Sequence, residues 1–218
     1  MSKKPENTLK KSPAVLLAAV IVFVLAGLFG DDVPILNEVA RFFDDFLGGG
    51  PSVTGLQGPA EVTRVSDGDT ITVELDGREE KVRLTGIDTP ETFASSKLDR
   101  DVEASPLSRD EMRALGKEAT AYAKDLMEGQ EVYLELDAEE RDRYGRMLAY
   151  VYTRDPNGDW TFQDENFEQV NLEMVEAGWA DPLTIPPNVR YTDDYVEAAR
   201  RARQQNLGIW AQGWVASE

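Results

Sequence analysis

Two short runs of alternating apolar residues, Val62 with Val65 and then Ile71, Val73 and Leu75, flank the turn Ser66-Asp67-Gly68-Asp69, and Asp76-Gly77 follows directly. Alternation with a period of two marks half-buried strands. Asp-Gly between such runs is a strong signal for a two-residue hairpin. With Lys81–Ile87 as a third strand, the chain has to meander through three antiparallel strands, and few architectures complete such a sheet.

The remaining pattern narrows them. Thr92–Asp110 is polar, charged and contains Pro106, and is expected to be a loop. Arg109–Met127 carries Met112, Leu115, Ala119, Tyr122, Ala123 and Leu126 at helical spacing, with Gly129 as the stop. Val132–Leu136 and Met147–Tyr152 read as a fourth and a fifth strand around the turn Arg141–Arg146. Phe167–Ala177 reads as a short helix ended by Gly178. Thr192–Asn206 reads as another, with Val196, Ala199 and Ala202-Arg203 toward the core. No internal repeat is present. Three strands, a helix and two strands predict an α+β fold: a five-stranded OB-type β-barrel with three helices.

The chain of 218 residues has no His and no Cys. Disulfides and thiolate or imidazole metal sites are excluded, as are the usual neutral-pH base and thiol nucleophile. If the chain does hydrolytic chemistry, that chemistry falls to carboxylates, around a hard cation. One short region supplies them: Asp67-Gly68-Asp69-Thr70, then Arg83, then Asp88-Thr89-Pro90-Glu91. Each run alone is also an ordinary turn. Arg141, Arg143 and Arg146 lie among Glu139, Glu140 and Asp142, a pattern that also suits a surface ion-pair network.

Charge is the unusual part of the composition. There are 41 acidic and 23 basic residues, a net charge of −18. Beyond Gly50 the count is 35 acidic against 18 basic, and only Lys81, Lys97, Lys117 and Lys124 of those cations are lysines. Such a surface repels polyanions at low salt. It suits either work in concentrated salt or simple solubility.

At the amino terminus, Lys3, Lys4, Lys10 and Lys11 precede an uncharged stretch from Ser12 to Gly30. As a helix it measures about 28 Å at ~1.5 Å per residue, close to a hydrocarbon core of ~30 Å. With Asp31-Asp32 beyond it, the lysines orient the amino terminus inside. Residues 1–30 are therefore expected to be a cytoplasmic tip followed by an uncleaved transmembrane anchor through 13–30 or a cleaved signal helix, both of which export the rest, with a buried soluble helix as the third reading. The catalytic part is expected outside the cell, on the membrane or secreted. Asp32–Leu47 has one apolar helical face, Leu36, Val39, Ala40, Phe43, Phe46 and Leu47. It suits the membrane surface, self-association or packing on the domain. Residues 31–58 are this helix and a linker with Gly48-Gly49-Gly50-Pro51-Ser52. Residues 59–212 form the domain and 213–218 a tail.

Four runs together, Ser66–Thr70, Val82–Thr92, Asp142–Tyr150 and Asn206–Trp210, resemble the staphylococcal nuclease (thermonuclease) family in order and spacing. The resemblance covers roughly Pro59 to Gln212. It implies a calcium-dependent phosphodiesterase acting on DNA and RNA, leaving a 5′-hydroxyl and a 3′-phosphate. By the same resemblance Asp69 and Asp88 are the Ca²⁺ carboxylates and Thr89 gives its backbone carbonyl. Glu91 is the general base, Arg83 and Arg146 bind phosphate, and Tyr144, with neighbouring Arg143, lies by the substrate. Two departures are visible. The loop after Glu91 is longer and more acidic than usual, and Trp179–Pro187 does not reproduce the tyrosine-bearing substrate wall. The alternative is a catalytically silent nucleic-acid or protein-binding module on the same barrel, although such modules typically lose carboxylates or arginines that are all present here.

Overall fold

In a computed structural model, which describes residues 52–214 apart from 54 and 94, Asp76 and Gly77 both take positive φ, 52° and 72°. That backbone joins strands without splaying them and sets their register. Strand β1 (Gln57–Asp67) pairs with β2 (Thr70–Leu75), and β2 with β3 (Arg78–Leu84), both antiparallel. The short β4 (Ile87–Asp88) follows. After two helices, α1 (Ser96–Ala104) and α2 (Arg109–Met127), come β5 (Glu131–Arg141) and β6 (Met147–Arg154). Strand β5 pairs with β1, and β6 pairs with both β5 and, in parallel, β3, at Val82↔Met147 and Arg83↔Leu148. That last pairing closes a five-stranded barrel. Val62, Ile71, Val73, Val82, Val132, Leu134, Ala149 and Val151 fill it, all fully buried.

Helix α2 begins with a capping box. The Ser108 hydroxyl accepts from the Glu111 N–H, and the Glu111 carboxylate accepts from the Ser108 N–H. Its stripe Met112, Leu115, Ala119, Ala123 and Met127 is buried. Beyond β6 a hairpin, β7 (Trp160–Phe162) and β8 (Glu165–Gln169), extends the sheet, and α3 (Val170–Glu176) follows. Strand β9 (Asp181–Pro182) pairs with β4, and α4 (Thr192–Gln204) and a 3₁₀ turn (Gly208–Gln212) complete the described chain.

Several expectations are corrected. The stretch Thr92–Asp110 is not all loop, because α1 lies within it, and the unit therefore has four α-helices rather than three. Ser95 caps α1 by accepting from the Leu98 N–H at 3.0 Å. Leu98 is buried and Val102 packs against a second apolar cluster with Met112, Leu115, Ile209 and Trp214. Trp179 and Trp210 lie partly buried against the same cluster. Phe167 does not begin a helix but pairs with Trp160 in the hairpin, and α3 starts at Val170. On α4 the buried face is Tyr195, Ala198, Ala199 and Ala202, while Val196 turns outward. Arg203 also turns outward, to Asp181. The residues just before Pro59 also pack on the barrel unit: the Val53 N–H donates to the Thr161 carbonyl at 3.0 Å and Val53 is buried. The apolar run 12–30 and the stretch 32–47 lie outside the described residues. Among the described residues no helix is long and apolar enough to cross a membrane.

Acid crowding leaves a pH signature in this fold. Burial, then the nearby carboxylates of Asp159 and Glu173, push Glu168 from its ordinary 4.5 up to about 7. The folded state thus holds a proton that the unfolded state releases, so stability from this group is lost as pH rises from 4.5 to about 7. Glu168→Gln is expected to stabilise the protein above that window by about 1 kcal/mol, after discounting for its half-exposed position. Thermal melts at pH 8 should rise by roughly 2–4 °C, with no gain at pH 4.

Candidate active site

The site is built where three chain reversals meet at one end of the barrel. The first is the turn between β1 and β2. Gly68 stands there because a Cβ would lie 2.9 Å from the Thr89 side chain, so only glycine lets the Asp88-Thr89 segment lie across the turn. Asp69, next in line, is 8% exposed. Its Oδ1 accepts from the Thr70 hydroxyl at 3.0 Å, and its Oδ2 accepts from both the N–H and the hydroxyl of Thr89 at 3.1 Å. The Leu84 N–H donates to the Asp69 carbonyl at 2.9 Å, which anchors β3 to the same turn.

Arg83 lies opposite Thr70 in the β2–β3 register. It is on the side of β3 away from the buried Val82 and Leu84, as strand alternation requires. Its Nη2 lies 3.1 Å from Asp69 Oδ2 and 3.1 Å from Asp88 Oδ1, and its Nη1 donates to the Leu84 carbonyl at 2.9 Å. One guanidinium thus spans two carboxylates from different turns. The β4–β9 pairing holds Asp88 beside Asp181, whose carboxylate is taken by Arg203 at 2.7 Å.

Glu91 is half-buried, three residues after Asp88. A Cβ at Gly116 of α2 would sit 2.6 Å from the Pro90 carbonyl oxygen and 2.8 Å from the Glu91 carbonyl carbon. Glycine there lets the helix lie directly on the Pro90–Glu91 backbone. Beyond it, the Thr92 carbonyl accepts from Arg113 Nε at 3.1 Å, and the Thr92 hydroxyl donates to Asp67 Oδ1 at 2.9 Å. Burial, then the charge of Asp69, raises the Asp67 pKa above its ordinary 3.8, against the pull of hydrogen bonds from Thr92, Gly68 and Thr120.

Arg146 immediately precedes β6. Because Leu148 stands opposite Arg83, Arg146 shares the outward side of the sheet with Arg83, displaced two residues, about 7 Å, along the neighbouring strand. Its Nε is held at 2.7 Å by Asp142 Oδ2, the ion pairing that the charge pattern of this turn allowed. Arg141 likewise forks onto Glu80 with two contacts of 3.0 Å. Tyr144, 70% exposed, stands at the tip. Arg143 Nη2 donates to its hydroxyl at 2.6 Å, and the guanidinium carbons of Arg143 and Arg146 lie 4.8 and 5.7 Å from its ring centre. Of the residues singled out from sequence, Asp69, Arg83, Asp88 and Thr89 contact one another directly. Glu91 belongs to the same segment, and Arg143, Tyr144 and Arg146 form a neighbouring group on the β5–β6 turn.

Sequence reasoning passed over the residues that hold the Glu91 segment: Thr92, Arg113 and Thr120. A signal was there, because Arg113, Gly116 and Thr120 recur at i, i+3 and i+7, a stripe on one side of α2 that is not apolar.

The donors suit a hard cation. Two carboxylates and the Thr89 carbonyl are all oxygen, and the carboxylates are brought close by sharing one guanidinium atom. Among the described residues no group of three or more acidic side chains forms a ready cage. A cation held by these oxygens would have to complete its shell with water and substrate oxygens.

Comparison with known proteins agrees with this geometry. The family profile described as "Staphylococcal nuclease homologue" matches residues 81–212. A thermonuclease of Staphylococcus intermedius is 35% identical, covering 79% of this chain and 90% of that protein. A thermonuclease of Staphylococcus hyicus is 33% identical, over 69% of this chain and 75% of its own length. Endonuclease YncB of Bacillus subtilis is 29% identical, over 71% and 63%. With a closed five-stranded barrel, an Asp-Gly-Asp turn facing an arginine and a second aspartate, and matches of this extent, the chain belongs to the staphylococcal nuclease family.

Proposed function

We propose that this nuclease is a calcium-dependent hydrolase of DNA and RNA that leaves 3′-phosphate and 5′-hydroxyl ends. The observation that carries the reading is the shared contact of Arg83 with Asp69 and Asp88 beside the Glu91 segment. In this reading Asp69, Asp88 and the Thr89 carbonyl hold Ca²⁺, and the bound ion supplies polarisation and charge neutralisation at the phosphoryl group. Glu91 accepts the proton of the attacking water as its oxygen bonds to phosphorus and the P–O5′ bond breaks. The 5′ oxygen takes a proton from solvent. Arg83 and Arg146 fork onto phosphoryl oxygens and stabilise the charge that builds in the transition state. Tyr144 with Arg143 offers an exposed ring for the flanking nucleotide.

Export of the catalytic unit, anchored or released, follows from the lysines before the apolar run and Asp31-Asp32 after it. The acid excess beyond Gly50 supports work in concentrated salt, where repulsion of a polyanion is screened within roughly 3 Å at 1 M.

The test is metal add-back. After exhaustive chelation the full-length protein should show no hydrolysis of DNA or RNA, and added Ca²⁺ should restore it. Full activity in the chelated protein would remove the calcium assignment.

A further inference from the structure

Asp67 opens the Asp-Gly-Asp motif, yet its carboxylate is occupied differently from that of Asp69. A single oxygen, Oδ1, accepts from the Gly68 N–H at 3.1 Å, the Thr92 hydroxyl at 2.9 Å and the Thr120 hydroxyl at 3.2 Å. Thr120 has one proton for three nearby oxygens, those of Asp67, the Thr92 hydroxyl at 3.3 Å and the Gly116 carbonyl, and lies closest to the last, at 2.7 Å. Thr92 is therefore the firm tie. The same turn grips the chain a second time three residues earlier, where Asp69 accepts both donors of Thr89. Glu91 sits between these two grips, preceded by Pro90, whose ring fixes φ. Helix α2 closes the remaining side, with Gly116 against the Pro90–Glu91 backbone and Arg113 on the Thr92 carbonyl.

We propose that Asp67 is a positioning residue for Glu91: by holding Thr92 to the β1–β2 turn and α2, it fixes the backbone that aims the Glu91 carboxylate at its water. The proposal rests on the base role assigned to Glu91 above. It divides the labour of the motif. Asp69 serves the ion, and Asp67 serves the base. The hold depends on an acceptor oxygen and not on charge, so an amide can replace the acid.

The experiment compares D67A, D67N, T92V, the D67A/T92V double variant and E91Q with the full-length wild type in Ca²⁺, with circular dichroism confirming the fold of each. D67A should lower kcat by about 10²-fold, the scale of a misplaced catalytic group, with KM unchanged. D67N should recover most of that loss, because Asn keeps the acceptor. T92V should lower kcat in the same way. The double variant should be no worse than the poorer single one, since both remove one tie. The Ca²⁺ concentration for half activation should stay at the wild-type value in D67N, which separates positioning from metal binding. Wild-type kcat in folded D67A overturns the proposal, as does a D67N as impaired as D67A. If D67A does not fold, wild-type kcat in T92V overturns it instead. E91Q tells the two levels apart: an inactive E91Q beside a fully active D67A removes the positioning role alone, and a fully active E91Q removes the base assignment and the positioning with it.

Discussion

Arg83→Ala is expected to lower turnover by about 10²–10³-fold, the loss typical of removing one positioned transition-state donor, in a protein whose barrel remains folded. The side chain lies on the outer side of β3, so its removal leaves no cavity among the buried valines and leucines of the barrel. What is lost is a cationic group in contact with both Asp69 and Asp88. The transition state loses its fork, and the two carboxylates lose the charge that offsets their repulsion. Arg83→Lys keeps the charge but not the planar fork, and a single ammonium cannot reproduce Nη1 on the Leu84 carbonyl and Nη2 on two carboxylates. It should recover little of the rate. Single-turnover hydrolysis at saturating Ca²⁺, with circular dichroism as the fold control, measures this. Wild-type turnover in folded Arg83→Ala would leave the guanidinium only the role of pairing the carboxylates.

Glu135→Ala should cost stability on a comparable scale, roughly 2–4 kcal/mol, because it takes the acceptor from two tyrosine hydroxyls, each costing about 1–3 kcal/mol when left unsatisfied in the interior, while the Arg190 guanidinium, 41% exposed, can turn to water. Glu135 on β5 is 2% exposed. Its carboxylate pairs with Arg190 and accepts from the hydroxyls of Tyr152 at 2.8 Å and Tyr191 at 2.7 Å. The network runs on through Gln169, whose amide donates to Tyr152 and accepts from Tyr195, both at 2.8 Å. One carboxylate thereby ties β5, β6, β8, the segment before α4, and α4 itself. Burial, followed by neighbouring groups that include the Glu135 charge, pushes the Tyr152 hydroxyl well above its ordinary value, so it stays a donor at every working pH. Tyr152→Phe, which removes one hydroxyl and leaves the pair, should cost only about 1–2 kcal/mol. Urea unfolding of the three proteins gives the comparison, and equal midpoints for Glu135→Ala and wild type would show that the network adds nothing to stability.

How much of this was legible depends on how locally it is encoded. The Asp76-Gly77 hairpin, the five barrel strands and α2 follow from alternation, turn chemistry and a six-residue apolar stripe, all readable within a few residues. The β7–β8 hairpin was not, because its turn residues, Gln163 and Asp164, take φ of 50° and 66° without a glycine to announce them. Helix α1 hides in a charged stretch because, among the described residues, Leu98 and Val102 alone carry its apolar contacts with the second cluster. The inner face of α4 is built from small residues around Tyr195, so the larger Val196 misdirected the reading. In the site, Asp69, Arg83, Asp88 and Glu91 stood out as charged residues in short motifs. Arg113, Gly116 and Thr120 did not, because their part is to receive a loop from elsewhere in the chain. Only the tertiary fold shows that Asp67 and Asp69 grip opposite sides of Glu91.

The most direct measurement follows the ends of a labelled oligonucleotide cut by the full-length wild type and by Glu91→Gln in Ca²⁺, at low and multimolar salt. The account predicts 3′-phosphate and 5′-hydroxyl products from the wild type and a loss of about 10²-fold or more in Glu91→Gln, the range for a general base. Folded wild-type protein that cuts nothing at any salt, products carrying 5′-phosphate, or an undiminished rate in Glu91→Gln would contradict it.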